Sequence, residues 1–361
     1  MISQFPEQWQ TKCQERPFST TTPIQEALFK PISDGDNILG ISPTGTGKTL
    51  AYMWPILLQL TPKKGQQLLI LAPNSELAGQ LFEVAKDWGE PLGLSAQLLL
   101  SGSSQKRQIE RLKKAPEIII GTPGRVFELV KLKKIKMMAI NTIVLDEYDE
   151  LLSDSQLPFV SKITNHVARD HQMIYLSATQ KISNDFLAEN TKMITVSEQT
   201  PETIHHYYIT VEKRDRLELL RKLSNIPDFR ALTFFNNLSD LGATEERLQF
   251  SGTAAVSLAS DVNIKMRKVI LEKFKNHDLS LLLATDLVAR GIDIDNLETV
   301  INFDIPRDYE SYTHRAGRTG RMGKDGQVIS FVTHKEDLKK LKKMASVQEL
   351  QLKHQVLSLK K

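Results

Sequence analysis

The sequence predicts an α/β protein made of two tandem parallel-sheet domains joined by a short linker. Three observations carry that prediction. Short apolar runs alternate with helical patterns through most of the 361 residues, as in strands wrapped on both faces by crossover helices. The rhythm pauses once, at the polar segment Ser197–Thr203, which contains Pro201, and then restarts. The length suits two domains better than one. The expected domains are therefore residues 1–197 and 206–361, with the linker at 198–205.

In the first half the runs predict strands at Asn37–Ile41, Leu68–Ala72, Gln97–Leu100, Glu117–Ile120, Thr142–Leu145 and Met173–Leu176. Each is rich in Ile, Leu or Val with little polar alternation, the pattern of a buried parallel strand. Helical patterns lie between them, for example over Ser75–Trp88 and Ser104–Lys114. In the second half strands are predicted at His206–Val211, Ala231–Phe235, Ala254–Leu258, Ser280–Ala284, Thr299–Phe303 and Gln327–Val332. After His334, Leu338 and Leu341 are spaced for one helix face with lysines on the other. The last apolar residues, from Leu350 to Leu359, predict a terminal helix or strand that completes the core, or else an auxiliary contact with RNA or a ribonucleoprotein.

Composition bounds the function. With 40% hydrophobic and 25% charged residues, the chain reads as an ordinary soluble globular protein. No apolar run reaches the ~20 residues that span a bilayer, and the N-terminus lacks the pattern of a signal peptide. The single cysteine, Cys13, excludes an internal disulfide and a cysteine zinc site, and points to a reducing, cytoplasmic setting. The formal net charge is +4, but Lys335–Lys361 holds eight lysines and three acids, leaving the rest near neutral. Such a tail suits a polyanion partner or a solvated helix face. The pair His205-His206 reads as strand surface.

The chemistry begins at Gly40, where a strand runs into Ser42-Pro43-Thr44-Gly45-Thr46-Gly47-Lys48-Thr49 and then a helix. Glycines let the backbone curl so that its N–H groups converge on phosphate oxygens, and the helix N-terminus adds partial positive charge. Lys48 is expected on the β- and γ-phosphates and the Thr49 hydroxyl on Mg²⁺. Such a loop needs a carboxylate at the tip of a neighbouring strand. Asp146, ending the run Ile143–Leu145, fits as the Mg²⁺ ligand through water, with Glu147 orienting the attacking water. Downstream, Arg315, Arg318, Arg321 and Lys324 cluster among glycines, a pattern able to stabilise charge developing on a transferred phosphoryl group.

Taken together, the motifs resemble the DEAD-box RNA helicases of superfamily 2, in order and over nearly the whole chain. Thr21–Gln25 after Phe18 resembles the adenine-reading Q motif, Thr122–Arg125 an RNA-backbone motif, Asp146–Asp149 (DEYD) the DEAD box, and Ser177–Thr179 the SAT segment. Ala284–Ile294 and His314–Arg321 resemble the family's two arginine- and RNA-linked motifs of the second domain. The resemblance implies two RecA-like domains, ATP as substrate with Mg²⁺, and RNA gripped mainly by its backbone. It implies that Phe18, Gln25 and Asp293 join the loop in holding the nucleotide, and that Thr122, Gly124, Arg125, Arg267 and Thr285 contact RNA. It further implies that Asp149, Ser177, Thr179, Asp286 and His314 couple hydrolysis to domain movement, and that Arg318 and Arg321 reach the nucleotide from domain two. A monomer acting on RNA or a ribonucleoprotein, for example in ribosome assembly, is expected.

The departures from the family pattern fall mainly on the RNA side. Ser75 stands in PNSELA where an arginine is expected, and Ser101-Gly102 replaces paired glycines. Phe5 and Trp9 are the nearest candidates for the aromatic upstream of the Q motif. Tyr148 replaces an alanine, and its ring is expected to swing toward the domain cleft with its hydroxyl hydrogen-bonded. Two other readings stay open: a DNA-directed translocase of the same superfamily, and an RNA clamp with slow turnover.

Overall fold

The computed structural model describes residues 2–15, 20–43, 45–167, 170–178, 186–196, 204–258, 264–286, 297–320, 325–353 and 355–360. The chain divides into two compact units, Met1–Glu198 and Gln199–Lys361. The expected linker at 198–205 ends early, because Ile204 and His205 already belong to a strand. Pro201 and the rest of residues 197–203 lie outside the described residues.

Unit one carries helices α1 (Glu7–Glu15), α2 (Pro23–Ser33), α3 (Lys48–Gln59), α4 (Ser75–Gly89), α5 (Gln105–Leu112), α6 (Pro123–Lys131), α7 (Tyr148–Leu151) and α8 (Leu157–Thr164). Its strands are β1 (Ile38–Ile41), β2 (Leu68–Leu71), β3 (Ala96–Leu99), β4 (Ile118–Gly121), β5 (Thr142–Leu145), β6 (Gln172–Ser177) and β7 (Lys192–Thr195). They form one sheet in the order β3-β4-β2-β5-β6-β1-β7, with every pairing parallel. β1, β2, β4, β5 and β6 are buried along their whole length, and apart from Thr142, Gln172 and Ser177 at the strand ends and the hydroxyl of Tyr175 they carry no polar side-chain group. One face packs against a cluster that includes Trp54 and Trp88, the other against one that includes Leu129 and Tyr175. β7 was not legible: its KMIT segment is largely exposed and shows no apolar run.

Phe5 and Trp9, the nearest candidates for the upstream aromatic, are core residues. They are edge-on to each other and joined to Trp54 and Trp88. The Trp9 indole N–H donates to the Trp88 carbonyl at 2.8 Å, so α1 is pinned to α4 and the aromatic serves packing.

Unit two carries β8 (Ile204–Thr210), β9 (Ala231–Phe235), β10 (Ala255–Ser257), β11 (Leu281–Thr285), β12 (Thr299–Asn302), β13 (Gly326–Val332), β14 (Gln348–Lys353) and β15 (Val356–Leu359). Their order is β10-β11-β9-β12-β13-β8-β14-β15, all parallel except the antiparallel pair β14–β15. The described helices are α9 (Arg216–Ser224), α10 (Leu238–Phe250), α11 (Ile264–Lys275), α12 (Tyr309–Ala316) and α13 (Lys335–Lys342). Leu341 of α13 is buried as its spacing implied. The terminal apolar residues form a hairpin that lengthens the sheet beyond β8, and Lys360 closes it by an ion pair to Glu349 at 2.8 Å.

His206 departs from a surface reading. Its ring is half-buried in β8 and hydrogen-bonded to the Tyr312 hydroxyl on α12 at 2.7 Å. Burial, aided by neighbouring His205, holds its pKa below the ordinary imidazole value.

Candidate active site

In a parallel sheet all C-terminal strand ends lie on one edge, where ligands of open α/β sheets bind. The motifs of unit one cluster there. β1 ends at Ile41 and opens into the phosphate loop, and β6 beside it ends at Ser177, paired with Ile41. The Ser42 N–H donates to the Ser177 carbonyl at 3.1 Å, so the SAT segment is fastened to the loop. One strand further along, β5 delivers Asp146.

The loop curls because Gly45 and Gly47 take φ of 83° and 87°, values that L side chains rarely adopt. A Cβ on Gly47 would stand 2.5 Å from the Gln25 side-chain amide. Gln25 itself is buried. Its oxygen accepts from the Thr22 N–H at 2.9 Å and its amide donates to the Gly47 carbonyl at 3.3 Å. The Q-motif glutamine therefore braces the phosphate loop as well as flanking it. The Ser42 and Thr46 hydroxyls bond each other, and Thr46 donates to the Pro43 carbonyl at 2.9 Å. Lys48 opens α3, and its ammonium donates to the carbonyls of Ser42 and Pro43. Thr49 follows on the first turn of α3. Thr44 lies outside the described residues.

Asp146 is 4% exposed. Its Oδ2 accepts from the Tyr52 hydroxyl at 2.9 Å and its Oδ1 from the Glu147 N–H at 3.0 Å. Burial pushes the Asp146 pKa upward, while the Tyr52 hydrogen bond and the Lys48 charge pull against it. Burial and the Asp146 charge push the Tyr52 hydroxyl well above its ordinary value, so it remains a donor. Tyr52 was missed by sequence reasoning. Its signal was spacing, since it lies one turn after Lys48 on the same helix. Glu147 sits in the left-handed region, with φ 52° and ψ 54°, a conformation that costs a non-glycine residue about 1–2 kcal/mol. The chain thereby breaks sharply from strand into α7, which carries Asp149 close enough to Asp146 for their charges to oppose.

Tyr148 contradicts its expected swing toward a cleft. It is fully buried with its ring 4.7 Å from that of Tyr175, and its hydroxyl has no hydrogen-bond partner among the described residues. The left-handed turn at Glu147 carries the next side chain under the sheet, where apolar packing decides its place.

The loops following β2, β3 and β4 share the same sheet edge. Asn74 caps α4 by accepting from the N–H groups of Glu76 and Leu77 at 3.1 and 2.9 Å, placing Ser75 at the first helical position. Thr122 precedes α6, and its N–H donates to the Leu99 carbonyl at 3.3 Å. Gly124 lies in the first turn of α6. Arg125 differs from a phosphate-facing arginine. It is only 9% exposed, donates to the Ser103 carbonyl at 3.3 Å and pairs with Glu128 at 2.9 Å. Its guanidinium holds the loop after β3 against α6.

In unit two, Thr285 ends β11 and Asp286 follows. Asp286 receives a forked ion pair from Arg315, at 2.6 and 2.8 Å. The same guanidinium donates to the Asn302 and Asn236 side chains and to the Asp304 carbonyl. Arg315 is 1% exposed and lies over the Phe234 ring. It is thus the structural anchor of this motif, a role the cation cluster in the sequence concealed. It also gives Asp286 a partner inside unit two, where a role between domains was expected. His314 and Arg318 are buried too, and the Arg318 Nε–H donates to the His314 carbonyl at 3.3 Å. Arg267 is a partly exposed residue of α11. Phe18, Thr179, Asp293, Arg321 and Lys324 lie outside the described residues.

The arrangement in unit one fits a nucleoside triphosphate with Mg²⁺: a left-handed glycine loop, a lysine and a hydroxyl at a helix start, and a buried carboxylate on a nearby strand. Comparison with known proteins agrees. The DEAD/DEAH box helicase model matches residues 22–186, and the helicase conserved C-terminal domain model matches residues 212–323. The chain is 41% identical over 335 residues to the probable ATP-dependent RNA helicase YfmL of Bacillus subtilis, covering 91% of this chain and 89% of that protein. It is 36% identical over 330 residues to the DEAD-box ATP-dependent RNA helicase CshC of Bacillus cereus, covering 90% and 85%. Among solved structures, S. cerevisiae Dbp5 bound to RNA and ADP BeF3 matches with a TM-score of 0.84 at 26% identity, over 96% of this chain and 94% of that one.

Proposed function

The chain belongs to the DEAD/DEAH box helicase family, and from that premise we infer that it is an ATP-dependent RNA helicase with two RecA-like domains. We propose the following division of labour. The single observation that supports it most is the joining of the phosphate loop to the strand-tip carboxylate through Tyr52, 2.9 Å from Asp146. Lys48 leaves the loop carbonyls to meet the β- and γ-phosphates. Ser42, Pro43, Thr44, Gly45, Thr46 and Gly47 wrap them with backbone N–H groups. Phe18 and Gln25 face the adenine, and Asp293 the ribose.

Thr49 and Asp146 hold Mg²⁺, which when bound neutralises phosphate charge and polarises the bond that breaks. Glu147 orients the attacking water and accepts its proton. Arg318 and Arg321 stabilise the charge of the transferring phosphoryl group. RNA is held by Thr122, Gly124, Arg267 and Thr285, with Arg125 positioning the loop beside them. Because RNA and ATP each favour the arrangement that the other needs, each strengthens binding of the other. Asp149, Ser177, Thr179 and His314 carry that coupling, with Asp286 acting inside unit two by fixing Arg315. The protein acts as a monomer in the cytoplasm, on short RNA duplexes or ribonucleoproteins such as assembling ribosomes.

The test is ATP hydrolysis with single-stranded RNA, with DNA of the same sequence, and with neither. RNA should stimulate turnover and DNA should not. Lys48→Ala should lower turnover by about a hundredfold or more while leaving RNA affinity within about threefold. Equal stimulation by DNA would favour the translocase reading. Stimulated turnover without unwinding of a short duplex would favour the clamp.

A further inference from the structure

β3 is an edge strand, and a groove of about 690 Å³ is lined by residues of β3, α4 and α5. The floor and one wall carry the apolar Leu98, Leu100 and Phe82 of α4, interspersed with the polar Ser95 and Gln97. The other wall is α5 and the turn after it, which present Arg107, Arg111 and Lys114. These follow the i, i+4, i+7 spacing of one helix face. All three are exposed and none has an acidic partner among the described residues. Residues 105–114 hold five cations and one acid, as much net charge as the whole chain carries.

The groove does not suit an added β-strand. Of the carbonyls facing the open edge, that of Leu98 accepts from the Gln97 side-chain amide at 3.0 Å and that of Leu100 from the Gln108 amide at 2.9 Å. An incoming strand would find these acceptors already engaged. Nor does the floor suit a nucleic-acid backbone, because phosphates and riboses gain nothing from Leu98, Leu100 and Phe82. An occupant must offer apolar side chains toward the strand and carboxylates toward α5. From Arg107 to Lys114 the basic face is about 10 Å long, two turns of helix.

We propose that this groove docks a short amphipathic helix of a protein partner, with apolar residues at i, i+3 or i+4, and i+7, flanked on one side by Asp or Glu. The site lies at the edge strand, apart from the phosphate loop and Asp146, with its rim at Ser103 and Ser104, and would tether the enzyme to that partner.

A phage-displayed library of random 16-residue peptides, selected on the full chain, tests this. The enriched sequences should share the apolar spacing with an acidic flank. A synthetic peptide of that consensus should lose at least tenfold in affinity, read by fluorescence anisotropy, on Arg107→Glu/Arg111→Glu and separately on Leu98→Asp. RNA-stimulated ATP hydrolysis should stay within about twofold in both variants. A consensus without acids, or a peptide that binds both variants as well as the native chain, overturns the proposal. So does a charge-reversed variant whose RNA affinity falls instead, which would assign the basic face to RNA. Failure here leaves the Lys48→Ala result untouched, so the two readings are separable.

Discussion

Tyr148 is the third residue of the DEYD segment that follows β5. The structure turns it into a core residue. Its hydroxyl is buried without a partner among the described residues, and such a group costs about 1–3 kcal/mol. Tyr148→Phe keeps the packing on Tyr175 and removes that cost. The expected outcome is a rise of about 1 kcal/mol in the stability of unit one, or about 2–4 °C in Tm by calorimetry, with ATP turnover unchanged. A drop in Tm would show that the hydroxyl has found a partner. At this scale the sequence was readable where a motif fixes a position on an element: Lys48 opens α3 and Asp146 follows β5, as expected. It was least readable where the same residue type can face either way. Arg125 was expected on RNA and Arg315 in a cation cluster serving phosphoryl transfer, yet both are buried anchors, because only the fold reveals which carbonyls and carboxylates surround them.

Elements explain a second set of differences. The inner strands of both sheets were legible to within a residue or two at each end, since burial on both faces demands continuous apolar runs. The edge strands β3 and β10 were foreseen, but β7 escaped because it is largely exposed, and β14–β15 could be foreseen only as some terminal structure. The contact between β8 and α12 was also hidden, because it rests on one histidine and one tyrosine 106 positions apart. It has a measurable consequence. The folded pKa of His206 is depressed, so below the ordinary imidazole value of about 6.5 the unfolded chain takes up a proton that the native ring resists. Stability should therefore be full above that pH and decline as pH falls through the window down to the folded pKa. Urea unfolding monitored in unit two between pH 7 and 5 should show this decline, and His206→Gln should flatten it. The exposed neighbour His205 and the bonded Tyr312 are the other titratable groups at that contact.

On the scale of the whole molecule, each of the four apolar clusters lies within one unit, and the phosphate loop, Tyr52 and Asp146 all belong to the first. Residues 1–198 expressed alone should therefore fold and bind a fluorescent ATP analogue within about tenfold of the full chain's affinity. The same fragment should show no RNA-stimulated hydrolysis, because Arg318 and Arg321 are missing. Stimulation of the fragment by RNA would remove the arginines of the second unit from the mechanism. The two-unit plan was legible because rhythm and pause are properties of long stretches, over which local errors average out.

The bond between Tyr52 and Asp146 carries one last consequence. The helix that begins with the ammonium meant for the triphosphate also bears, four residues on, the hydroxyl that grips the acidic strand tip. A tug on the start of that helix is thus geared directly to the Asp146 carboxylate, without any messenger from elsewhere in the chain.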